Sequence, residues 1–161
     1  MNKTNLEKRI YKAQCYGNVE PIEYMTPYPN LPALVEGQNV KYKDHLLYHD
    51  LDMTNEDFFK LVQKTTHWLK ASGTKPKDRV LISGIQFPWA ECIAFAVWTI
   101  GGTLVISNQD DYQTAKSLSK PKLTVQADIN VEKEINAFDE QFEPEFNANL
   151  QDEALIYWTN G

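Results

Sequence analysis

A chain of 161 residues that is 42% hydrophobic and 12% aromatic carries enough apolar surface for a buried core, on the scale of one domain with extensions. Its 16 Lys and Arg against 22 Asp and Glu leave a net charge of -6, and the acidic excess falls late, in Glu132, Glu134, Asp139, Glu140, Glu143, Glu145, Asp152 and Glu153, where phosphate backbones and anionic membranes are repelled. The only basic cluster along the sequence, Lys3, Lys8, Arg9 and Lys12, reads as a solvated face and is too small for a nucleic-acid footprint. Cys15 and Cys92 fall in different predicted elements and imply no disulfide framework, so a reducing compartment fits. The start, MNKTNLEKRI, lacks the apolar core of a signal peptide, and the longest apolar run, 92–100, is far short of the roughly 20 residues of a bilayer helix. A cytoplasmic, soluble protein is expected.

Residues 6–16 predict a helix with Leu6, Ile10 and Ala13 on one side, ended by Gly17-Asn18. Residues 19–37 hold Pro21, Pro27, Pro29 and Pro32 among Tyr24, Met25 and Tyr28, the composition of an extended arm lying against a domain. The division expected is therefore an N-terminal helix and wrapping arm over 1–37 and an α/β subdomain over 38–161. Residues 45–49 read as a strand, with 51–54 as its turn.

Residues 54–71 form the clearest amphipathic pattern. Thr54 and Asp57 are spaced close to a capping box, and Phe58, Leu61, Val62, Thr65 and Leu69 make one stripe, while Lys60, Gln63, Lys64, His67 and Lys70 fall on the wet side. Gly73 stops this helix. The segment 80–108 then reads as strand, helix, strand: Val80-Leu81-Ile82 and Thr103-Leu104-Val105-Ile106 suit strands buried on two faces. The helix between them, 89–100, is apolar on nearly every side, with Pro88 in its first turn and Gly101-Gly102 as its stop. Such a unit is a right-handed crossover and needs further layers to cover it.

Beyond Asn108, a helix over 111–119 is expected with Tyr112, Ala115 and Leu118 inward, followed by a strand at 123–125. Asn130 is a candidate cap for a helix whose Val131, Ile135, Phe138 and Phe142 make a narrow stripe. Residues 154–161 are a further strand running into a turn residue. The alternation of helices and strands argues for an α/β fold, a mostly parallel sheet with helices on both faces, and no internal repeat is visible. A buried parallel strand is normally followed by a crossover, so the chain is expected to be cut from something longer.

Several constellations weigh against chemistry within the chain. His45 and His49 on one strand are roughly 13 Å apart, too far for a shared ion. A Cys92 thiolate paired with His67 is poorly solvated in an apolar helix. Gly84 with Gly101-Gly102 does not make the spacing of a dinucleotide-binding turn. Trp68, Trp89, Trp98 and Trp158 read as packing residues, with Trp89 the one placed to face a partner surface. No catalytic or metal-ligating residue is assigned.

The order of elements resembles the N-terminal part of the adenylate-forming superfamily, which includes acyl-CoA synthetases and peptide-synthetase adenylation domains. Residues 54–71 resemble the helix beginning T-x-x-E-L. Gly73-Thr74-Lys75-Pro76-Lys77-Asp78-Arg79-Val80 resembles the turn G-V-x-P-G-D-R-V, with Lys77 in place of glycine. The helix into Gly101-Gly102-Thr103-Leu104-Val105-Ile106-Ser107-Asn108 is similar to A-x-x-x-A-G-A-x-x-V-P-L-N. The ending Asp152-Glu153-Ala154-Leu155-Ile156-Tyr157-Trp158-Thr159-Asn160-Gly161 is similar to D-x-A-x-I-x-Y-T-S-G, which opens the family's phosphate loop T-S-G-T-T-G-x-P-K-G. The likeness covers residues from about 31 to 161.

The resemblance implies that Thr159, Asn160 and Gly161 begin a loop whose backbone N–H groups and hydroxyls cradle ATP phosphates, with Asn160 replacing the usual serine. It implies a parent that uses ATP and Mg2+ to activate a carboxylic acid as an acyl-adenylate and passes the acyl group to a thiol of CoA or a carrier protein. The rest of that loop, the acyl pocket and the catalytic lysine lie further along in the family. An inactive N-terminal fragment is thus expected, with ATP and Mg2+ belonging to the parent, the remainder of the parent chain as partner, and self-association through the truncated edge. The competing readings are a stand-alone, non-catalytic α/β interaction module, and a flavodoxin-like nucleotide-binding domain with its ligand at the carboxyl ends of the Val80 and Thr103 strands.

Overall fold

The computed structural model describes residues 30–127, 129–140 and 152–158. The helix expected at 6–16, the arm up to residue 29, Cys15, Phe142 and the site residues Thr159, Asn160 and Gly161 lie outside the described residues.

The first described element corrects the sequence reading. Instead of extended chain to residue 37, a helix α1 runs Leu31–Tyr42, with the Asn30 side chain accepting from the Ala33 N–H at 2.9 Å and Pro32 in its first turn. Proline is tolerated there because that N–H has no helical partner. A short hairpin follows, β1 (Leu46–Tyr48) antiparallel to β2 (Met53–Thr54), joined by a 3-10 turn over His49–Leu51. His45 precedes β1 and His49 opens the turn, so they do not share a strand face as the spacing suggests.

Helix α2 (Asn55–Ala71) starts where the sequence places it. Thr54 caps it, its hydroxyl accepting from the Asp57 N–H at 3.2 Å, while the Asp57 carboxylate accepts the Thr54 N–H at 3.0 Å. Phe58, Val62, Thr65 and Leu69 are buried as the stripe predicts, joined by Thr66 and Trp68. Each buried threonine hydroxyl donates to the carbonyl four residues earlier, Thr65 to Leu61 and Thr66 to Val62, both at 2.7 Å, which removes the penalty of burying an unpaired hydroxyl.

Four parallel strands form the central sheet: β3 (Arg79–Ser83), β4 (Thr103–Ser107), β5 (Leu123–Gln126) and β6 (Leu155–Tyr157), in spatial order β5-β3-β4-β6. Helix α3 (Trp89–Ile100) joins β3 to β4, α4 (Tyr112–Ser119) joins β4 to β5, and α5 (Val131–Asn136) follows β5. Alternate residues along each strand serve opposite faces. Val80, Ile82, Leu104 and Val125 meet Leu69, Ile93, Val97 and Ile135 in one core cluster, the layer made by α2, α3 and α5. Leu81 and Val105 meet Tyr112 and Ala115 of α4 on the other face, with Ile156 and Trp158 half-buried beside them. The α/β fold with helices on both faces of a parallel sheet is thereby established. One inward residue was misplaced: Leu118 is 64% exposed, and Ser119 is the buried residue of that turn, its hydroxyl donating to the Ala115 carbonyl at 2.6 Å.

The entry to β4 is held by backbone contacts. Gly101 caps α3 at φ 79°, the Lys77 N–H donates to the Gly101 carbonyl at 2.7 Å, and the Thr103 N–H donates to the Asp78 carbonyl at 2.9 Å. A Cβ on Gly102 would stand 2.9 Å from that Asp78 oxygen, so only glycine lets the two turns close on each other.

Candidate functional site

In an open parallel sheet, ligands bind outside the carboxyl ends of the strands where the connections diverge to opposite faces. Here that point lies between β3 and β4: α3 leaves β3 on one face and α4 leaves β4 on the other. Gly84 follows β3 at φ +71°, and a Cβ there would meet the Gln109 side-chain nitrogen at 3.1 Å and Ala127 Cβ at 3.4 Å. The Ser83 hydroxyl donates to the Asn108 carbonyl at 3.1 Å, and the Asn108 side-chain oxygen accepts from the Asp111 N–H at 2.7 Å. Small and amide side chains therefore close the two strand ends together. The Ser107 hydroxyl and one Asp111 carboxylate oxygen are buried at this edge without a hydrogen-bond partner. Neither was singled out by the sequence; the resemblance to V-P-L-N drew attention to that turn but not to its polar atoms.

The last described strand is fixed beside β4 from both ends. The Leu104 N–H donates to the Ala154 carbonyl at 3.0 Å, the Trp158 N–H donates to the Ile106 carbonyl at 3.1 Å, and Ile106 stands opposite Tyr157. Side chains add to this: Trp98 Nε1 donates to the Ala154 carbonyl at 2.7 Å, the Thr103 hydroxyl to the Glu153 carbonyl at 3.0 Å, and Arg79 pairs with Glu153 at 2.9 Å. The chain is thus delivered through Trp158 to the carboxyl edge of the sheet, next to Ser107. The three residues expected to start the phosphate loop come next in sequence.

A cavity of about 220 Å3 opens at the same edge between the ends of β3 and β5, lined by Gly84, Gln86, Trp89, Ile129, Asn130 and Glu132 among others. Trp89 lines it while also packing against the core cluster, the packing role expected of it. Asn130 is occupied as a helix cap, its side-chain oxygen accepting from the Lys133 N–H at 3.0 Å.

Cys92 and His67 are not brought together as a pair. Cys92 is fully buried with Val35, Phe58 and Val62, and burial, with the Glu91 carboxylate beside it, pushes its thiol well up. His67 lies at the surface, Nδ1 3.1 Å from an Asp139 carboxylate oxygen and its ring against Phe138. Near Cys92, Tyr48 is raised by its own burial and by the Glu91 charge, and one Glu91 carboxylate oxygen is buried without a partner. Among the described residues no group of three or more His, Cys, Asp or Glu could hold a metal ion, and no helix is long and apolar enough to cross a membrane.

No family model matches the chain, and no curated protein matches it. Solved structures do. The N-terminal subdomain of Klebsiella oxytoca NpsA superposes with a TM-score of 0.72 at 16% identity, covering 84% of this chain and 40% of that one. The N-terminal domain of FACL13 from Mycobacterium tuberculosis gives 0.69 at 16% identity, covering 81% of this chain and 42% of that one. The L. pneumophila fatty acyl-adenylate ligase, solved with acyl adenylate and pyrophosphate, gives 0.65 at 19% identity, covering 80% of this chain and 28% of that one. The chain spans about two fifths of the length of the first of these. Its four-stranded parallel sheet, with α2, α3 and α5 on one face and α4 on the other, has the fold of the NpsA N-terminal subdomain.

Proposed function

We propose that this chain is the N-terminal portion of an ATP-dependent carboxylic acid–thiol ligase, and that alone it is inactive. The observation that carries the reading is the placement of β6: a parallel strand beside β4 that brings Trp158 to the carboxyl edge of the sheet. Thr159-Asn160-Gly161 follow it in sequence. A phosphate loop starting there meets its ligand at the usual edge of an open α/β sheet. In the parent, a carboxylate oxygen attacks the α-phosphorus of ATP and pyrophosphate leaves; a thiol of CoA or a carrier protein then attacks the acyl carbonyl and AMP leaves.

The described residues contribute to that chemistry as a scaffold. They orient β6, close the strand ends through Ser83, Gly84 and Asn108, and leave the Ser107 hydroxyl buried beside the exit of the chain. They offer no cluster of carboxylates for magnesium, so no step is assigned to that ion here. ATP, Mg2+, the acid and the thiol belong to the whole enzyme, whose remaining chain is the principal partner, in the cytoplasm.

The test is to read the encoding gene beyond codon 161 and assay carboxylate-dependent ATP–pyrophosphate exchange. The expected result is a frame continuing into a Gly-, Ser- and Thr-rich loop followed by Pro-Lys-Gly, with exchange by the full product and none by residues 1–161. A stop codon after Gly161, or exchange by the 161-residue chain itself, overturns the reading.

A further inference from the structure

The amino-terminal edge of the sheet, at the other end of the strands, carries a cavity of about 520 Å3 lined by Lys77, Asp78, Arg79, Ser119, Lys120 and Lys122, with Pro121 and Glu153 completing it. Four cations and two carboxylates meet there in a chain whose net charge is -6. They come from distant parts of the sequence. The Lys122 N–H donates to the Arg79 carbonyl at 2.8 Å as β5 enters beside β3, which sets the turn after α4 against the turn before β3. Arg79 is held by the Ser119 carbonyl at 3.1 Å and by Glu153 at 2.9 Å. The Asp78 carboxylate is engaged by the Lys75 N–H at 2.8 Å. Both lining acids thus have partners, and no ion pair with a described residue is formed by Lys77, Lys120 or Lys122.

Two of these lysines occupy backbone positions that favour glycine. Lys77 has φ 70° and Lys120 has φ 48°, and Asp52 is the only other non-glycine residue with positive φ among those described. L side chains in this region are strained, and such strain persists where the side chain has a use. At Lys77 glycine is the residue this geometry suits best, so the lysine stands there against the local backbone preference. Lys120 stands at the left-handed C-cap that ends α4, its N–H donating to the Lys116 carbonyl at 3.1 Å, so helix termination accounts for its backbone, whereas Lys77 caps no helix; both lysines line the one cavity.

We infer that this cavity is a binding site for a small phosphate-bearing ligand, with Lys77, Lys120 and Lys122 supplying charge and Arg79 a fixed planar donor group. Its volume is in the range of small-molecule sites, and a polyphosphate moiety spreads its negative charge over several oxygens, as the lysines spread their positive charge around the rim. The site is separate from the carboxyl edge. The five residues of β3 lie between them, roughly 17 Å at the usual rise per residue. The inference stands apart from the ligase reading and survives its failure.

Calorimetric titration of the full chain with inorganic tripolyphosphate at constant ionic strength tests it. Saturable one-to-one binding is expected with Kd below about 1 mM. Lys77→Gly, Lys120→Gly and Lys122→Gln are each expected to weaken it roughly tenfold, the scale of one charge-assisted contact, and Lys64→Gln on α2 to leave it unchanged. Lys77→Gly should also raise the melting temperature of the unliganded protein, since glycine takes that backbone conformation freely. A loss of affinity in a variant that is more stable cannot come from misfolding. The assignment is overturned by the absence of saturable binding, by full affinity in all three cavity variants, by an equal loss in Lys64→Gln, or by a short polyglutamate binding more tightly than tripolyphosphate.

Discussion

Trp98 Nε1 donates to the carbonyl oxygen of Ala154 at 2.7 Å, so a side chain near the end of α3 fastens the first residue before β6. The Trp98 ring also meets Phe95 edge-on, with centroids 5.2 Å apart, which fixes the indole plane. Trp98→Phe keeps an aromatic ring and deletes the donor. It should cost about 1 kcal/mol in urea denaturation. Hydrogen exchange should localise the loss, with the Leu104 and Trp158 amides, which bond across the β4–β6 pair, exchanging faster than those of β3.

Gly102 and Gly73 separate two reasons for glycine. At Gly102 a Cβ would meet the Asp78 carbonyl oxygen at 2.9 Å and Val97 Cγ1 at 3.1 Å, and the carbonyl is itself the acceptor for Thr103. Gly102→Ala should cost about 1–3 kcal/mol by forcing the turns apart. Around Gly73 a Cβ meets nothing within 4 Å, but φ is +81°, so Gly73→Ala should cost about 1–2 kcal/mol from backbone conformation alone. Asparagine, which tolerates the left-handed region, should recover part of the loss at 73 and none at 102, as read from melting temperatures.

These elements differ in how far the sequence exposed them. The runs Val80-Leu81-Ile82 and Thr103-Leu104-Val105-Ile106, with glycine after each intervening stop, marked β3, α3 and β4 because a strand buried on both faces must be apolar at every position. Helix α1 escaped because its apolar residues do not gather on one side: Val35 is buried while Val40 is 78% exposed, and the prolines before it read as loop. Leu118 was placed inward by a three-residue step from Ala115, whereas the four-residue step to Ser119 is the one that faces the sheet. The resemblance implied that a phosphate loop opens at Thr159, Asn160 and Gly161, which lie outside the described residues. The cavity of Lys77, Arg79, Lys120 and Lys122 was not legible, since only the pairing of β5 with β3 joins residues 40 positions apart. Along the sequence its cations fall in two short groups, Lys77 with Arg79 and Lys120 with Lys122, and nothing in their spacing says that the groups meet.

The capping box of α2 gives a pH dependence whose sign is fixed. The Thr54 hydroxyl and N–H both favour ionised Asp57, holding its carboxyl below the ordinary value of 3.8, and Lys60 and Lys43 hold Glu56 down in the same way. A carboxyl whose folded pKa is depressed contributes stability that is present above its unfolded value and is lost as pH falls through the folded one. Melting temperature should therefore drop as pH is lowered below about 4, and the drop should be smaller in Asp57→Asn. Thr54→Ala should cost about 1 kcal/mol at neutral pH. An unchanged acid limb in Asp57→Asn would remove this carboxylate from the account.

Cys92 should behave as a core residue. With its thiol pushed up by burial, little thiolate is present at pH 8 and none of it is open to reagent. In a Cys15→Ser background, iodoacetamide labelling should follow global unfolding, at least about 10³-fold slower in buffer than in denaturant. Fast native labelling would place the thiol in a solvated pocket and reopen a chemical role for it.

The last prediction concerns the outer strand of the described sheet. Leu155 is 49% exposed and Tyr157 65% exposed, on the face that carries α2, α3 and α5, while Trp158 is half-buried on the opposite face against Leu81 and Val105. An apolar pair on an outer strand invites a further strand or a second copy. The 161-residue chain should self-associate with rising concentration in sedimentation velocity, and Leu155→Lys with Tyr157→Lys should return it to monomer without lowering its melting temperature, since exposed side chains contribute little to the fold. If the full-length product proves to be a monomer under the same conditions, the surface around Leu155 and Tyr157 is one that the remaining chain covers. A 161-residue chain that stays monomeric at high concentration would argue against an unpartnered edge and for a module sealed on that side.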